Sequence, residues 1–480
     1  MADADRPAAA PQARPGQRDL TTGPIASTLL GFALPTLGSS ILQSLNGSIN
    51  SAWVGRLIGE DALAATANAN MVMFLASAFT FGFSMASSIL IAQAFGRRDI
   101  DTARRSFGTA FGFFSLLAIL VAVGGWFFSP KILALLGTPA EAVPLADAYL
   151  RVISLALPPA ILMVSTMMAL RGTGDSLTPL WFMGLAVLLD SGLNPFFISG
   201  IGPFPEMGIA GSALATSIAN WTALIGLFAY IYWRDLPLRL RGAELTYLRP
   251  AGGCLKTIVV KGFPMGLQMI VISLSSLLLI GLVNAEGVHT AAAYGVTMQL
   301  WAYIQMPAMA FGAAVSAMTA QNIGAGHWDR VGRITNIAIV QVLAITGAMI
   351  ALFLLFERPA LGLFLGMDSP ALPIAMHIQW IATWSFLLFG ITLVIFGTVR
   401  ANGAVVVPLI ILAIGLLPVR IGFAWLGRDW LGADALWWSF PASTLTNLVL
   451  AVLYFRSGRW KQARMAVSEE PQPIPQPAQP

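Results

Sequence analysis

Twelve apolar stretches run through the sequence, and each is long enough to cross a bilayer as an α-helix, which takes about 20 mostly apolar residues. Only 10% of the residues are charged, against about 25% in a soluble domain, which excludes a water-soluble enzyme. Alternating strands of about ten residues, typical of an outer-membrane barrel, do not occur in the sequence. We therefore predict an all-α polytopic membrane protein, whose twelve spans cover residues 25–54, 63–93, 105–128, 147–170, 177–199, 208–233, 257–283, 290–322, 333–356, 373–399, 405–427 and 432–455.

Basic residues lie mainly on one side of this topology. If the amino end is cytoplasmic, the two densest clusters, at residues 97–105 and 234–261, both fall inside the cell. The net charge of +5 reflects loops that face an anionic leaflet, and it does not indicate a nucleic-acid partner. Arginine outnumbers lysine, which favours a bacterial source. We predict a multi-pass protein of the bacterial inner membrane with both termini in the cytoplasm.

The second half of the sequence repeats the first at an offset of about 229 residues. Each half holds six spans, and an even number returns the chain to the cytoplasm, so the halves are parallel repeats about an axis along the membrane normal. The matching pairs are Pro35 and Pro264, 92–96 and 320–324, 171–174 and 400–403, and Pro179 and Pro408. The predicted units are a polar tail (1–24), a six-helix lobe (25–233), a basic cytoplasmic connector (234–256), a second six-helix lobe (257–456) and a Pro/Gln-rich tail (457–480).

Two similar helix bundles can rock about a shared cleft, a geometry that serves alternating access with a substrate site near the membrane midplane. The sequence has no phosphate-binding loop, so ATP is not the expected energy source. The three histidines are scattered without metal-ligand spacing. We therefore expect transport driven by an ion gradient, without catalysis, metal or bound cofactor. A duplicated scaffold without transport is an alternative.

An ordered set of motifs resembles the multidrug and toxic compound extrusion (MATE) family of secondary antiporters from about residue 25 to 456. It comprises Pro35, 54–57, 92–96, 171–175, 193–195, 208–216, 262–264 and 321–326. The resemblance implies two six-helix lobes around a V-shaped cleft, and export of organic, often cationic, compounds against inward proton or sodium flow. We predict a monomeric antiporter that exchanges small organic, mainly cationic, compounds for protons. A lipid-linked oligosaccharide flippase of the wider superfamily is a second alternative, although such flippases usually have fourteen helices and a cationic cavity, whereas here Arg420 is the main basic residue within a span.

Asp190 is the only acidic residue deep inside a span. A charged Asp at the bilayer centre costs at least about 2.5–3.5 kcal/mol on insertion scales, so it must face a cavity, find partners or take up a proton. Asn194 lies four residues later on the same helix face. The resemblance adds Thr216 of the sixth span to this pair. We predict that Asp190 carries the coupling proton, the alternative being a protonated Asp that hydrogen-bonds a neighbouring helix for structural reasons.

The first span carries a stripe of amides, Gln43, Asn46 and Asn50, on one helix face, which we expect to line the cleft. The alternative is hydrogen bonding between helices. The family usually has an Asp at the position of Asn50, which cannot titrate. Pro35 removes a backbone donor within the same span and is a predicted hinge, with Pro264 as its counterpart in the second repeat.

The second lobe lacks the acids that some family members use for sodium. The resemblance places these acids at Ile272 and within 386–391, where this sequence has only apolar residues and Gly390. The polar side chains available there are amides, which favours protons, with sodium as the alternative. Further predicted cleft residues, for which ordinary packing is the alternative role, are Asn68, Gln268, Gln299, Trp301, Gln305 and Met306.

Overall fold

The computed structural model describes residues 18–57, 60–135, 143–201, 205–250 and 252–465, without the side chains of 60–76, 132, 135, 145 and 148. Within those ranges the chain forms helices and turns and has no β-strand. The N lobe consists of α1 (Ile25–Leu57), α2 (Glu60–Gly96), α3 (Ile100–Leu135), α4 (Val143–Gly172), α5 (Leu177–Ser199) and α6 (Ile209–Trp233). A connector with a 3₁₀ turn at Gly242–Leu248 leads to the second lobe.

The C lobe has more helices because two of its spans are interrupted and two short helices, α10 and α15, lie between spans. It consists of α7 (Gly252–Asn284), α8 (Val288–Gly324), α9 (Trp328–Leu355), α10 (Glu357–Leu365), α11 (Ala371–Ala382), α12 (Ser385–Ala401), α13 (Val406–Ile414), α14 (Arg420–Leu426), α15 (Arg428–Leu431) and α16 (Asp434–Arg456). A π-helical turn, Gly415–Val419, joins α13 to α14. A 3₁₀ turn at Arg459–Gln462 follows α16.

All twelve predicted spans coincide with a helix or an interrupted helix. Ten described helical segments are long and apolar enough to cross a membrane, and α11 with α12 forms an eleventh span bent by 46°. The twelfth is α8, whose 37 residues exceed the length that a span requires. Its hydropathy is lower because it carries polar side chains such as Gln299, Gln305 and Gln321.

Two spans that we predicted as single helices are interrupted. The tenth breaks at Thr383 and Trp384, where the Thr383 hydroxyl bonds the Gln379 side chain one turn earlier. The eleventh widens into the π-turn around Pro418, which has no backbone N–H to donate. Neither break leaves a signal in hydropathy alone, because the flanking residues are equally apolar.

The lobes meet closely where α2 crosses α7. A Cβ at Gly82 would collide with the backbone of Gly262 and Gly266, so these glycines allow the two helices to approach. The lobes are also joined where α2, α4, α8 and α12 end, which we call the closed end. There Asn322 donates to the carbonyl of Leu20 at 2.9 Å, so the segment before α1 lies against α8. Leu20 is fully buried in this position.

Candidate functional site

Asp190 lies within α5, only 2% exposed, and its carboxylate accepts hydrogen bonds from three helices. Oδ2 accepts from the amide nitrogens of Asn46 and Asn50 on α1, each at 2.8 Å. Oδ1 accepts from Asn194 of α5 at 3.1 Å and from Thr216 of α6 at 3.0 Å. Four donors thus replace the water that a buried carboxylate loses. We call these five residues the Asp190 cluster.

The cluster links α1 to α5 through more than the carboxylate. Asn194 also donates to Oδ1 of Asn50 at 2.9 Å. The amide oxygens of Asn46 and Asn194 are buried without a hydrogen-bond partner among the described residues. A protonated Asp190 needs an acceptor for its new O–H, and a neighbouring amide oxygen is one after a small rotation. The arrangement can therefore hold either the carboxylate or the carboxylic acid.

Tyr149 of α4 is a further neighbour that the sequence did not indicate. It is buried and lies within electrostatic range of Asp190. Asp147 on the same helix is paired instead with Arg151 at 3.0 Å. A signal was present in the sequence, since Tyr149 is one of only seven tyrosines and lies within the fourth predicted span.

Gln43 is not part of the cluster. It lies one helical turn before Asn46 and lines a separate space of about 370 Å³, the N-lobe cavity, between α1, α2, α4 and α5. Methionines form much of the wall of this cavity, and Arg171 at the end of α4 also reaches it. Asn68, a predicted cleft residue, falls outside the side chains that the structure describes.

A second space of about 260 Å³, the C-lobe cavity, lies among α7, α8, α12, α14 and α16. Three predicted cleft residues line it: Gln268, Trp301 and Gln305. Two others do not line either cavity, because Gln299 is exposed on the outside of α8 and Met306 is buried in its packing. The two prolines of the predicted hinges lie inside α1 and α7.

The two cavities adjoin one another. Phe81, Met269 and Met309 line both, so these three side chains form a flexible partition between the lobes. We call the two spaces together the central cleft. It lies between the lobes, as the resemblance implied, and the Asp190 cluster lies beside it rather than among its lining residues.

Arginines supply the charge of the central cleft. Arg171, Arg400 and Arg420 line it, and among the described residues no acidic side chain does. The predicted spans end at residues 170 and 399, so they leave Arg171 and Arg400 just outside the apolar stretches. In the structure, both arginines belong to the last turn of a helix, α4 or α12, and both reach the central cleft. Arg420 is the one of the three that lies within a predicted span.

Comparisons with known proteins agree with this architecture. A family model described as MatE matches residues 35–196 and 264–426, one match in each predicted repeat. A Bacillus subtilis relative, probable multidrug resistance protein YoeA, is 35% identical over 436 residues, with 90% of this chain and 94% of the relative covered. Another from the same organism, probable multidrug resistance protein YpnP, is 31% identical over 453 residues, with 93% and 98% covered.

A solved structure has the same fold. It is described as the outward-facing conformation of a multidrug resistance MATE family transporter and superimposes with a TM-score of 0.84 at 21% identity, with 92% of this chain and 98% of that chain covered. The predicted fold of twelve helices in two repeated lobes is thereby confirmed.

Proposed function

The chain belongs to the MatE family of multidrug efflux transporters, and we propose that protons drive its export of organic compounds. It is a multi-pass membrane transporter and not an enzyme, as the ordered motifs predicted. The observation that carries the proposal is the Asp190 cluster: one buried carboxylate held by side chains from α1, α5 and α6. The exchange of compound for proton follows from protonation and deprotonation of the Asp190 carboxyl group.

A proton that enters from outside forms an O–H bond on the Asp190 carboxylate and removes its negative charge. The hydrogen bonds from Asn46 and Asn50 then lose their charge-assisted part, so α1 is held less firmly against α5. In the outward-facing state, this change favours release of the compound to the outside. The protonated protein then turns to the inward-facing state, where Asp190 releases its proton inside. One elementary charge that moves across about 100 mV supplies about 2.3 kcal/mol, enough for roughly a fiftyfold gradient of a neutral compound.

The orientation of the amides supports a proton over a sodium ion. Asn46, Asn50 and Asn194 all direct their NH₂ groups at the carboxylate. Sodium requires several oxygen ligands, so all three amides would have to rotate to bind it, whereas a proton needs one acceptor. Sodium is therefore the alternative ion, and no cofactor beyond the ion gradient is proposed.

We also propose that the closed end faces the cytoplasm of a bacterial inner membrane, together with both termini, and that the protein is a monomer. Support comes from the basic residues of the 97–105 turn and of the connector, which lie at that end. Cysteines introduced at Pro205 and Ala243 in a Cys254→Ser background test this orientation. The first should react with an impermeant maleimide in intact cells and the second only after permeabilisation; the reverse pattern would overturn the orientation.

Transport by purified protein in proteoliposomes tests the coupling. We expect uptake of a fluorescent aromatic cation when a pH gradient is imposed without sodium, with proton movement in the opposite direction recorded by an internal pH dye. A sodium gradient at equal pH should have no effect. Uptake that requires sodium and ignores the pH gradient would refute proton coupling.

A further inference from the structure

The C-lobe cavity contains two arginines that have no acidic partner. Arg400 is 9% exposed, and its guanidinium donates to the carbonyl of Phe396 at 3.1 Å and to Oε1 of Gln268 at 3.4 Å. Arg420 donates from Nε to the hydroxyl of Ser443 at 3.0 Å. Among the described residues, neither forms a salt bridge, since the ion pairs there involve other arginines and His377.

Two guanidinium cations in the C-lobe cavity cost free energy when no negative charge lies beside them. An arginine side chain keeps its proton under all physiological conditions, so it cannot escape this cost by becoming neutral. Neutral partners such as Gln268 and Ser443 satisfy only part of each guanidinium. Arg171, across the partition in the N-lobe cavity, adds a third positive charge to the cleft. An anion in the cavity would supply the missing partner.

The backbone directs Arg420 into this cavity. Arg420 follows directly after the π-turn Gly415–Val419, and π-turns within α-helices occur frequently at functional sites. The turn is held from the opposite wall, where Ser275 of α7 donates to the carbonyl of Leu416 at 2.7 Å. A regular helix would shift the register of every following residue, so the π-turn determines which side chain faces the cavity.

Aromatic rings surround the same arginine. The Arg420 guanidinium lies 4.5 Å from the centre of the Phe440 ring. Trp301 packs edge-on against Phe440 at 4.9 Å and against Phe386 at 5.4 Å. The indole N–H of Trp301 is bonded to the side chains of Gln379 and Thr383, each at 2.9 Å, so the ring is fixed in place. Trp301, Phe386 and Phe440 all line the cavity, so an aromatic compound inside it meets aromatic side chains.

We propose that the C-lobe cavity binds aromatic compounds that carry an anionic oxygen group, a carboxylate or a phosphate, which pairs with Arg420 and Arg400. The aromatic part lies against Trp301 and Phe440. The inference rests on the proposed export function, because it takes the central cleft as the place where an exported compound binds. It adds aromatic acids and zwitterions to the cationic compounds that the resemblance implies, and the cationic group of a zwitterion extends toward the methionine-rich N-lobe cavity.

The test compares 1-naphthoate with 1-naphthamide, which has the same ring and nearly the same size but no charge. Binding is measured at pH 7 to the full chain in phosphatidylcholine nanodiscs, without any ion gradient. Wild type should bind the acid at least about tenfold more tightly than the amide, because charge-assisted hydrogen bonds are about twice as strong as neutral ones. Equal affinity for the two compounds would overturn the proposal, and this comparison needs no variant.

Variants locate the site. Arg420→Met and Arg400→Met should each reduce the preference for the acid about tenfold while leaving the affinity for the amide unchanged, which a merely misfolded cavity would not do. Arg358→Met is the matched control, because Arg358 is an exposed arginine of the same lobe outside the cavity. A preference for the acid that survives in the Arg400→Met/Arg420→Met double variant would refute the assignment of these residues.

Phosphatidylglycerol added to the nanodiscs distinguishes a lipid headgroup from a free compound. Competition with 1-naphthoate in wild type but not in Arg420→Met would support the site and identify the headgroup as one occupant. Lack of competition, with the preference for the acid intact, would support a soluble occupant. Because binding is measured without a gradient, the two proposals can fail separately. If proton-driven export is intact but the protein does not prefer 1-naphthoate to 1-naphthamide, only the anion site is refuted. If the protein prefers 1-naphthoate but shows no proton-driven export, only the coupling is refuted.

Discussion

Gln93 of α2 and Gln321 of α8 occupy equivalent positions in the two repeats, and each binds the end of a helix in the opposite lobe. Gln93 donates from Nε2 to the carbonyl of Ala401, the last residue of α12, at 2.7 Å. Gln321 donates in the same way to the carbonyl of Gly172, the last residue of α4, at 2.8 Å. These two crossed hydrogen bonds form a symmetric glutamine latch across the closed end.

Removal of the glutamine latch should open the closed end. Replacing one glutamine by methionine keeps its length but leaves a buried carbonyl unpaired, at a cost of about 1–3 kcal/mol. That shifts the closed-to-open ratio by about tenfold in each single variant. The sole cysteine, Cys254, is a native reporter, because it is 4% exposed and lines the same cavity as Gln93. A permeant maleimide should modify Cys254 about tenfold faster in Gln93→Met or Gln321→Met than in wild type.

The matched control for the latch is Gln299→Met. Gln299 lies on α8, as Gln321 does, but it is exposed. Its replacement should leave the modification rate of Cys254 unchanged. If both latch variants also react at the wild-type rate, then the crossed hydrogen bonds do not hold the closed end together.

Helical spacing made the Asp190 cluster predictable in part. Asn46 and Asn50, and likewise Asp190 and Asn194, are four residues apart and therefore share a helix face, and hydropathy marked Asp190 as the one deep acid. Periodicity does not tell which face of α1 meets which face of α5, and the family resemblance added only Thr216 of the sixth span to Asp190 and Asn194. The sequence also could not separate Gln43 from the two asparagines, because its cavity is formed by residues from both lobes.

The arginines of the central cleft were missed for a different reason. Hydropathy ends a span at the first charged residue, so Arg171 and Arg400 were placed outside the apolar spans. Whether a helix end lies at the membrane surface or inside a protein depends on what packs against it, which is a tertiary property. The repeat contained a usable hint, since the two arginines are equivalent positions and the two glutamines of the latch are as well.

Asp190→Asn should abolish pH-driven export while the protein still folds. Asparagine matches aspartic acid in size and retains hydrogen bonds to the neighbouring amides, but it cannot take up or release a proton. We expect proton-coupled transport in proteoliposomes to fall at least tenfold at equal protein amounts. Asp190→Asn combined with Asn194→Asp should restore part of it, because the acid returns to the same helix face.

Asp147→Asn is the control for the coupling acid. Asp147 is an acid of the same lobe, but it is paired with Arg151 on α4 and lies outside the Asp190 cluster. Its replacement should leave the pH dependence of export intact. Normal pH dependence in Asp190→Asn would mean that another group carries the proton.

Pro35→Ala should slow export without preventing folding. Proline has no N–H, so the carbonyl of Gly31 one turn earlier lacks its helical partner, and α1 can bend there. Alanine restores that hydrogen bond and stiffens the helix that holds Asn46 and Asn50. We expect a several-fold lower export rate with unchanged substrate binding. Pro130→Ala, which replaces an exposed proline within α3, serves as the control, and an unchanged rate in Pro35→Ala would exclude a hinge at this position.

The connector should contribute to stability in a pH-dependent way through Glu244. Its carboxylate pairs with Arg104 of α3 at 2.6 Å and accepts from the backbone N–H of Arg241 at 2.9 Å. Burial raises the pKa of Glu244, but the hydrogen bond from Arg241 and the charge of Arg104 outweigh it, so the pKa lies below the ordinary 4.5. A lowered pKa in the folded state stabilises the protein above the unfolded value of 4.5, and this contribution is lost as the pH falls through the folded value.

Glu244→Gln should therefore destabilise the protein at pH 7 but not at pH values below the folded pKa of Glu244. Both partners of the ion pair are partly exposed, so we expect a loss of only about 0.5–1 kcal/mol at pH 7. Thermal unfolding of purified wild type and variant at pH 7, 5 and 3.5 measures the difference, which should shrink as the carboxyl takes up its proton. Glu206→Gln, at an exposed position without an ion pair among the described residues, should match wild type throughout. A difference for Glu244→Gln that is equally large at pH 7 and pH 3.5 would assign the effect to side-chain shape rather than to charge.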